Sequence, residues 1–394
     1  MKSDYVFTSE SVTAGHPDKL ADQISDALVD SFLALDTRSR VSCECALAKG
    51  LVLVATRFAS HATVDIPQVV RSVIGETGYT RDDFNAEQCS VLTSVVAEPE
   101  RLRPTSDEKT LDDGELSELV ADHQATVFGY ACRETSLLMP LPIVLAHQLA
   151  RRIETEARGD LAYLTPDGSI QVGVEYREKQ PRRIHSLALV VSQWRAEEVT
   201  PKQLEEAMRY RVIAPAFADA EVQPDRRTRI FVNPGGPGIG GGPDAHAGLT
   251  GRKTGADTYG GYARQGTSAL SGKDPLRAER VAVYASRYAA KNVVVAGLAE
   301  RCEVQLGYAI GLAGPVSLQV ESFGSGVVDD ETIQERLVAA FDFRLGAVIA
   351  AFDLRHLPGR HDGVFYRRLA SYGQVGRDDL ELPWERTDLA QRLT

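Results

Sequence analysis

The chain has 394 residues, 43% of them hydrophobic and 25% charged, with 55 acidic against 44 basic residues and a formal charge of -11. That length exceeds one ordinary core and predicts two or three packed units. The acid excess excludes bulk attraction to nucleic acid, so any anion site has to come from a local basic cluster.

No apolar run reaches the roughly 20 residues of a membrane helix, and Met1-Lys2-Ser3-Asp4-Tyr5 lacks the apolar stretch of a signal peptide. Cys43, Cys45, Cys89, Cys132 and Cys302 form no Cys-x-x-Cys pair. They are expected to be buried thiols, and the expected compartment is cytosolic.

A helix followed by alternating strands is written three times. In the first copy Leu20, Ile24, Leu28 and Phe32 fall four apart after Pro17, the stripe of an amphipathic helix. Val41, Cys43, Cys45 and Leu47 then alternate with more polar neighbours, Lys49-Gly50 turns the chain, and Leu51 to Val54 returns. Residues 98–124 are polar and acidic and read as a long mobile loop, either a lid or a plain surface connection. The second copy runs from Pro140 through a helix marked by Ile143, Leu145, Leu149 and Ile153, and a turn is expected at Pro166-Asp167-Gly168. Strands follow at 170–174 and 185–191. The third places a helix after Pro275 and strands at 302–309 and 315–323. The fold class expected is therefore α+β, three pseudo-repeated subdomains of sheet packed on helices. Approximate bounds are 1–125, 126–233 and 234–394, with the repeats interleaved.

Two segments suggest chemistry. Residues 233–251 are too rich in glycine for helix or strand, and Arg252, Lys253, Lys273 and Arg277 follow in a short stretch. Glycine loops carrying cations can cradle phosphate, and a solvated basic surface is the competing reading. No Walker A spacing is present. Gly15-His16-Pro17-Asp18-Lys19 opens the first helix: proline suits its first position and an acid suits its first turn. Simple capping explains the segment, and so does a site in which His16 meets a leaving oxygen and Asp18 holds Mg²⁺.

Taken together, Ser9-Glu10-Ser11-Val12, Gly15 to Lys19, Ala21-Asp22-Gln23-Ile24-Ser25-Asp26-Ala27, Phe128-Gly129-Tyr130-Ala131, Gly248 to Lys253, Asp257-Thr258-Tyr259-Gly260-Gly261, Ser271-Gly272-Lys273-Asp274-Pro275 and Pro383-Trp384-Glu385 resemble the S-adenosylmethionine synthetase (methionine adenosyltransferase) family over nearly the whole chain. The resemblance implies attack by methionine sulfur on C5′ of ATP, and cleavage of the released tripolyphosphate to phosphate and pyrophosphate. It implies homodimers or homotetramers with interface sites, no nucleic-acid or membrane partner, and a gating loop at 98–112.

Catalytic roles fall by resemblance on His16, Lys273 and Arg252. ATP and phosphate binding falls on His16, Asp167, Ser169, Arg252, Lys253, Ala269 and Lys273. The Mg²⁺ carboxylates are Asp18 and Glu279, and Glu44 matches the K⁺ site. The second-substrate pocket holds Arg57, Glu98, His123, His246 and Arg277, and it is here that the chain departs from the family. Arg57, His123 and His246 stand where the family has acids, Glu98 replaces a glutamine, Arg277 and Ser169 replace lysines, Glu279 replaces an aspartate, and Pro237-Gly238 replaces an Arg-Phe pair. These changes predict an intact phosphate half and a rebuilt methionine and adenine half. Besides a synthetase that tolerates the changes, they leave room for a relative with another nucleophile or nucleotide, a tripolyphosphatase, or an inactive assembly subunit.

Overall fold

The computed structural model describes residues 4–81, 84–195 and 199–394. Three sheets, each backed by a helix, match the three units expected. In the first, β10 (Gly248–Leu249), β2 (Arg40–Ala48), β3 (Leu51–Ala59) and β4 (Ser90–Ala97) lie in that order. The second runs β1 (Tyr5–Val12), β6 (Leu164–Arg177), β7 (Gln180–Gln193) and β8 (Arg229–Val232), with β9 (Gly238–Ile239) also on β7. The third runs β12 (Ser317–Glu321), β11 (Arg301–Tyr308) and β5 (Ala125–Cys132). Helix α1 (Pro17–Leu35) packs on β2, α3 (Leu141–Ala157) on β1 and β6, and α4 (Ala278–Val295) on β5 and β11, while α2 (Ile66–Thr77) packs on α1. The units share strands: β1 joins the second sheet and β10 the first.

Pattern explains the core. Leu20, Ile24, Leu28 and Phe32 of α1 are buried, as are Val41, Cys43, Cys45 and Leu47 of β2 and Val52 and Val54 of β3. Burying these side chains removes several hundred Å² of apolar surface from water, at about 25 cal/mol per Å². The opposite face of the same sheet carries Leu51, Leu53, Leu92 and Val96, all large and exposed. All five cysteines are free and buried. Among the described residues no helix is long and apolar enough to cross a membrane.

Two expectations are corrected. Pro166-Asp167-Gly168 is not a turn. It lies inside β6, where the register with β7 shifts between Leu164 and Gly168, so the extra residues bulge out of the ladder. Residues 98–124, expected as a long loop, are not without regular structure. They make short helical turns at Glu100–Leu102, Glu108–Thr110 and Asp113–Glu118. Arg103 pairs with Asp36 through two bonds of 2.8 Å, and Glu108 is buried against the Arg355 guanidinium. The acidic composition of this segment is matched by partners distant in sequence, which local reading cannot see.

Buried His147 of α3 meets the Ser11 hydroxyl at 2.8 Å. Burial, with Arg151 and Arg377 adding to it, pushes its pKa down to about 3. The ring stays neutral in the fold while the unfolded chain protonates below its ordinary value. Stability is therefore lost as pH falls from about 6.5 toward 3. In His147→Gln the fall in unfolding free energy with acid should be shallower, by up to about 1.4 kcal/mol per pH unit. Urea titrations at several pH values read this directly, and parallel slopes would contradict it.

Candidate active site

The site is built around α1, which carries a second stripe beside its apolar one. Asp18, Asp22, Asp26 and Asp30 fall four apart, and all are buried. Each receives backbone N–H groups from another segment. Leu249 donates to Asp18 at 3.1 Å, Gly251 to Asp22 at 2.7 Å and Gly272 to Asp26 at 2.8 Å. Asp30 takes Phe365, Tyr366 and Arg367 at 3.0, 2.9 and 2.9 Å. The two glycine loops that carry the expected phosphate cations are thereby hung on one helix. Gly248 is required for this: a Cβ there would stand 2.2 Å from the Pro17 carbonyl oxygen.

Lys19 is not a phosphate ligand. It is buried and bridges Asp22 at 2.9 Å and Asp257. One ammonium faces two buried carboxyls, and burial pushes Asp22 up to about 7 against the pull of Lys19.

His16 caps α1, with its Nδ1 accepting the Asp18 N–H at 3.2 Å. Burial lowers its pKa to about 4, with Asp167 opposing, so the ring is neutral near pH 7. Because Nδ1 is the acceptor, Nε2 carries the proton and is the free donor. The β6 bulge brings Asp167 to the same place. Its Oδ2 accepts the Gly242 N–H at 2.8 Å and His246 Nε2 at 3.0 Å. The His246 ring lies 4.9 Å from that of His16, and its hydrogen bond to Asp167 raises its pKa. Arg252 and Lys253 stand 3.7 and 4.0 Å from the Asp18 carboxylate. Both line a cleft of about 560 Å³ together with Ser169, Glu10 and Gln171. Ala269 packs on Gly251, directly under this loop.

A second group lies further along the same edge of β2. Leu249 pairs with Ala46, whereas Lys273 bridges to Ser42, four residues or about 13 Å away along the strand. Here Lys273 Nζ meets Glu279 Oε1 at 3.0 Å, while Glu279 Oε2 is buried without a hydrogen-bond partner. Arg277 bonds His123 at 2.9 Å, and His123 bonds Asp122 at 2.9 Å. The four cations expected as one basic cluster are thus divided. Among the described residues no ion pair joins the Arg252 group to the Lys273 group.

Arg57 lies on the exposed side of β3, paired at 3.3 Å with half-buried Glu98 just beyond the end of β4. Arg57 is therefore partly offset by a neighbouring carboxylate. Glu44 is exposed on the same outer face, on β2 opposite Ala55. A cavity of about 1040 Å³ lies elsewhere, lined by α3 and residues 372–378, and touches none of these groups.

Sequence models of three successive domains match the chain: the N-terminal domain of S-adenosylmethionine synthetase over residues 4–99, the central domain over 118–237 and the C-terminal domain over 240–386. The chain belongs to the S-adenosylmethionine synthetase family. Curated relatives named S-adenosylmethionine synthase are similar along its whole length. The protein of Gloeobacter violaceus is 45% identical, covering 99% of this chain and 97% of the relative. That of Acaryochloris marina is 46% identical, covering 100% and 97%, and that of Synechococcus sp. (strain CC9311) 48%, covering 97% and 94%. The Asp stripe on α1 is legible as a four-residue spacing, but acids on a helix usually face water, so spacing alone does not mark it as buried.

Proposed function

We propose that this chain makes S-adenosylmethionine from ATP and methionine, with release of phosphate and pyrophosphate, as a transferase whose site is completed by a second subunit. The observation that carries the reading is the neutral, donor-ready His16 held beside Arg252, Lys253 and Asp18. Sulfur attack at C5′ expels tripolyphosphate, and catalysis of such a step is positioning plus stabilisation of the leaving charge. His16 Nε2–H and the two cations supply that stabilisation, and Ser169 and Ala269 border the nucleotide. In one chain Lys273 and Glu279 stand apart from the His16 group, so the Lys273 group that serves the polyphosphate would come from the second subunit.

The acids fit a hard divalent cation. Asp18 is buried with its oxygens turned to the cations, and the orphaned Oε2 of Glu279 is an open oxygen ligand. Asp18 and Glu279 would hold Mg²⁺, which supplies charge neutralisation of the phosphates when bound. Glu44 would contribute to a K⁺ site. The exposed Leu51, Leu53, Leu92 and Val96 form an apolar sheet face suited to an isologous dimer, with Glu44, Arg57 and Glu98 at its border. Arg57, Glu98, His123, His246 and Arg277 border the methionine pocket in this reading. Glu98 beside Arg57, Asp122 beside His123 and Arg277, and Asp167 beside His246 keep it from being uniformly cationic. Residues 98–112 would close over it.

Identity along the full chain does not favour a replaced nucleophile or an inactive subunit. The test is incubation of the purified protein with ATP, Mg²⁺ and K⁺, with and without methionine. Methionine-dependent S-adenosylmethionine is expected. Phosphate release without it, in the presence of methionine, would overturn the proposal.

A further inference from the structure

We propose that His16, Asp167 and His246 form a binding site for a first-row transition-metal ion such as Zn²⁺ or Co²⁺, distinct from the Mg²⁺ carboxylates and occupied only when the polyphosphate is absent. One ligand atom from each of the three residues lies within 4.8 Å of the others. They come from three separate parts of the chain: the start of α1, the β6 bulge and the loop before β10. Two imidazoles and one carboxylate are a donor set that suits Zn²⁺, Co²⁺ or Ni²⁺ and suits Mg²⁺ poorly, since Mg²⁺ prefers an all-oxygen shell.

The supporting bonds are already in place. The Asp167 carboxylate is held by the Gly242 N–H at 2.8 Å and is nearly closed from solvent. His246 is half-exposed, which leaves an entry path and an open side for water. His16 would bind through Nε2, because Nδ1 faces the Asp18 N–H. Its proton then moves to Nδ1 and the 3.2 Å cap is given up. Lys253 and Arg252 stand near and oppose the added charge, so affinity falls short of a dedicated structural zinc site. The same imidazole of His16 cannot bind the metal and donate to a leaving phosphate at once. The metal and ATP therefore exclude each other, and the metal acts as a brake on the enzyme.

Co²⁺ added to the nucleotide-free protein is the probe, read by its d–d absorption and by equilibrium dialysis. One equivalent should bind without the thiolate charge-transfer band that cysteine ligands would add. His246→Gln should weaken binding at least about 100-fold, as loss of a direct ligand exceeds second-shell effects. Asp18→Asn should leave it in place, and ATP should displace the ion. Both variants are checked for an unchanged thermal transition, and His16→Gln serves as a second ligand variant should His246→Gln misfold. Absence of binding, binding in the ligand variants as tight as in the unmutated protein, or loss in Asp18→Asn alone would overturn the proposal. These readouts require no turnover, so they stand or fall apart from the synthase activity.

Discussion

Asp26→Ala is expected to cost about 3–5 kcal/mol of stability, the usual effect of leaving one partner of a buried ion pair uncompensated. Asp26 and Arg280 are both fully buried and joined by bonds of 2.7 and 3.0 Å. Arg280 also lies over the Tyr366 ring at 4.3 Å and has no route to water. The same carboxylate accepts the Gly272 N–H, so the substitution frees the loop that presents Lys273. Denaturant unfolding measures the loss. Asp26→Asn keeps the shape and the Gly272 bond and should lose activity less than Asp26→Ala. A cost below about 1 kcal/mol for the alanine variant would show that the pair is not the tie between α1 and α4 described above.

His16→Ala is expected to lower kcat for S-adenosylmethionine formation by about 10²–10³-fold, the usual effect of removing a donor to a developing anion. The ring is buried and neutral, and its Nδ1 is occupied, so its contribution is a hydrogen bond from Nε2 and not a proton reservoir. Removal of the cap should cost only about 1 kcal/mol of stability. A kinetic loss with little change in methionine KM is the pattern of an interaction made in the transition state. A raised KM with unchanged kcat would instead assign His16 to ground-state binding.

Much of the architecture was written in period. The apolar stripe of α1 and the alternation of β2 and β3 each follow from which side faces the core. The conformation of residues 98–124 was not legible, because it is fixed by Asp36 and Arg355, far away in sequence. The place of Asp167 in a bulge is hidden for a similar reason. Pro-Asp-Gly favours a turn locally, and pairing with β1 and β7 overrides it as a bulge. At the site, residue types alone could not separate Lys19 from Lys253, although one is a buried structural cation and the other faces the cleft. Nor could they show that Arg57 and Glu98 form an ion pair. Tertiary partners decide both.

The site proposed above joins the His16 group of one subunit to the Lys273 group of another. Mixing two inactive variants, His16→Ala and Lys273→Ala, and allowing their subunits to exchange tests this most directly. Random pairing in a closed dimer gives half mixed molecules, each with one intact site of two, so about a quarter of the unmutated activity should return. Activity that stays at the level of the separate variants, with exchange shown by mass tagging, would place both groups in a single chain's site and contradict the account.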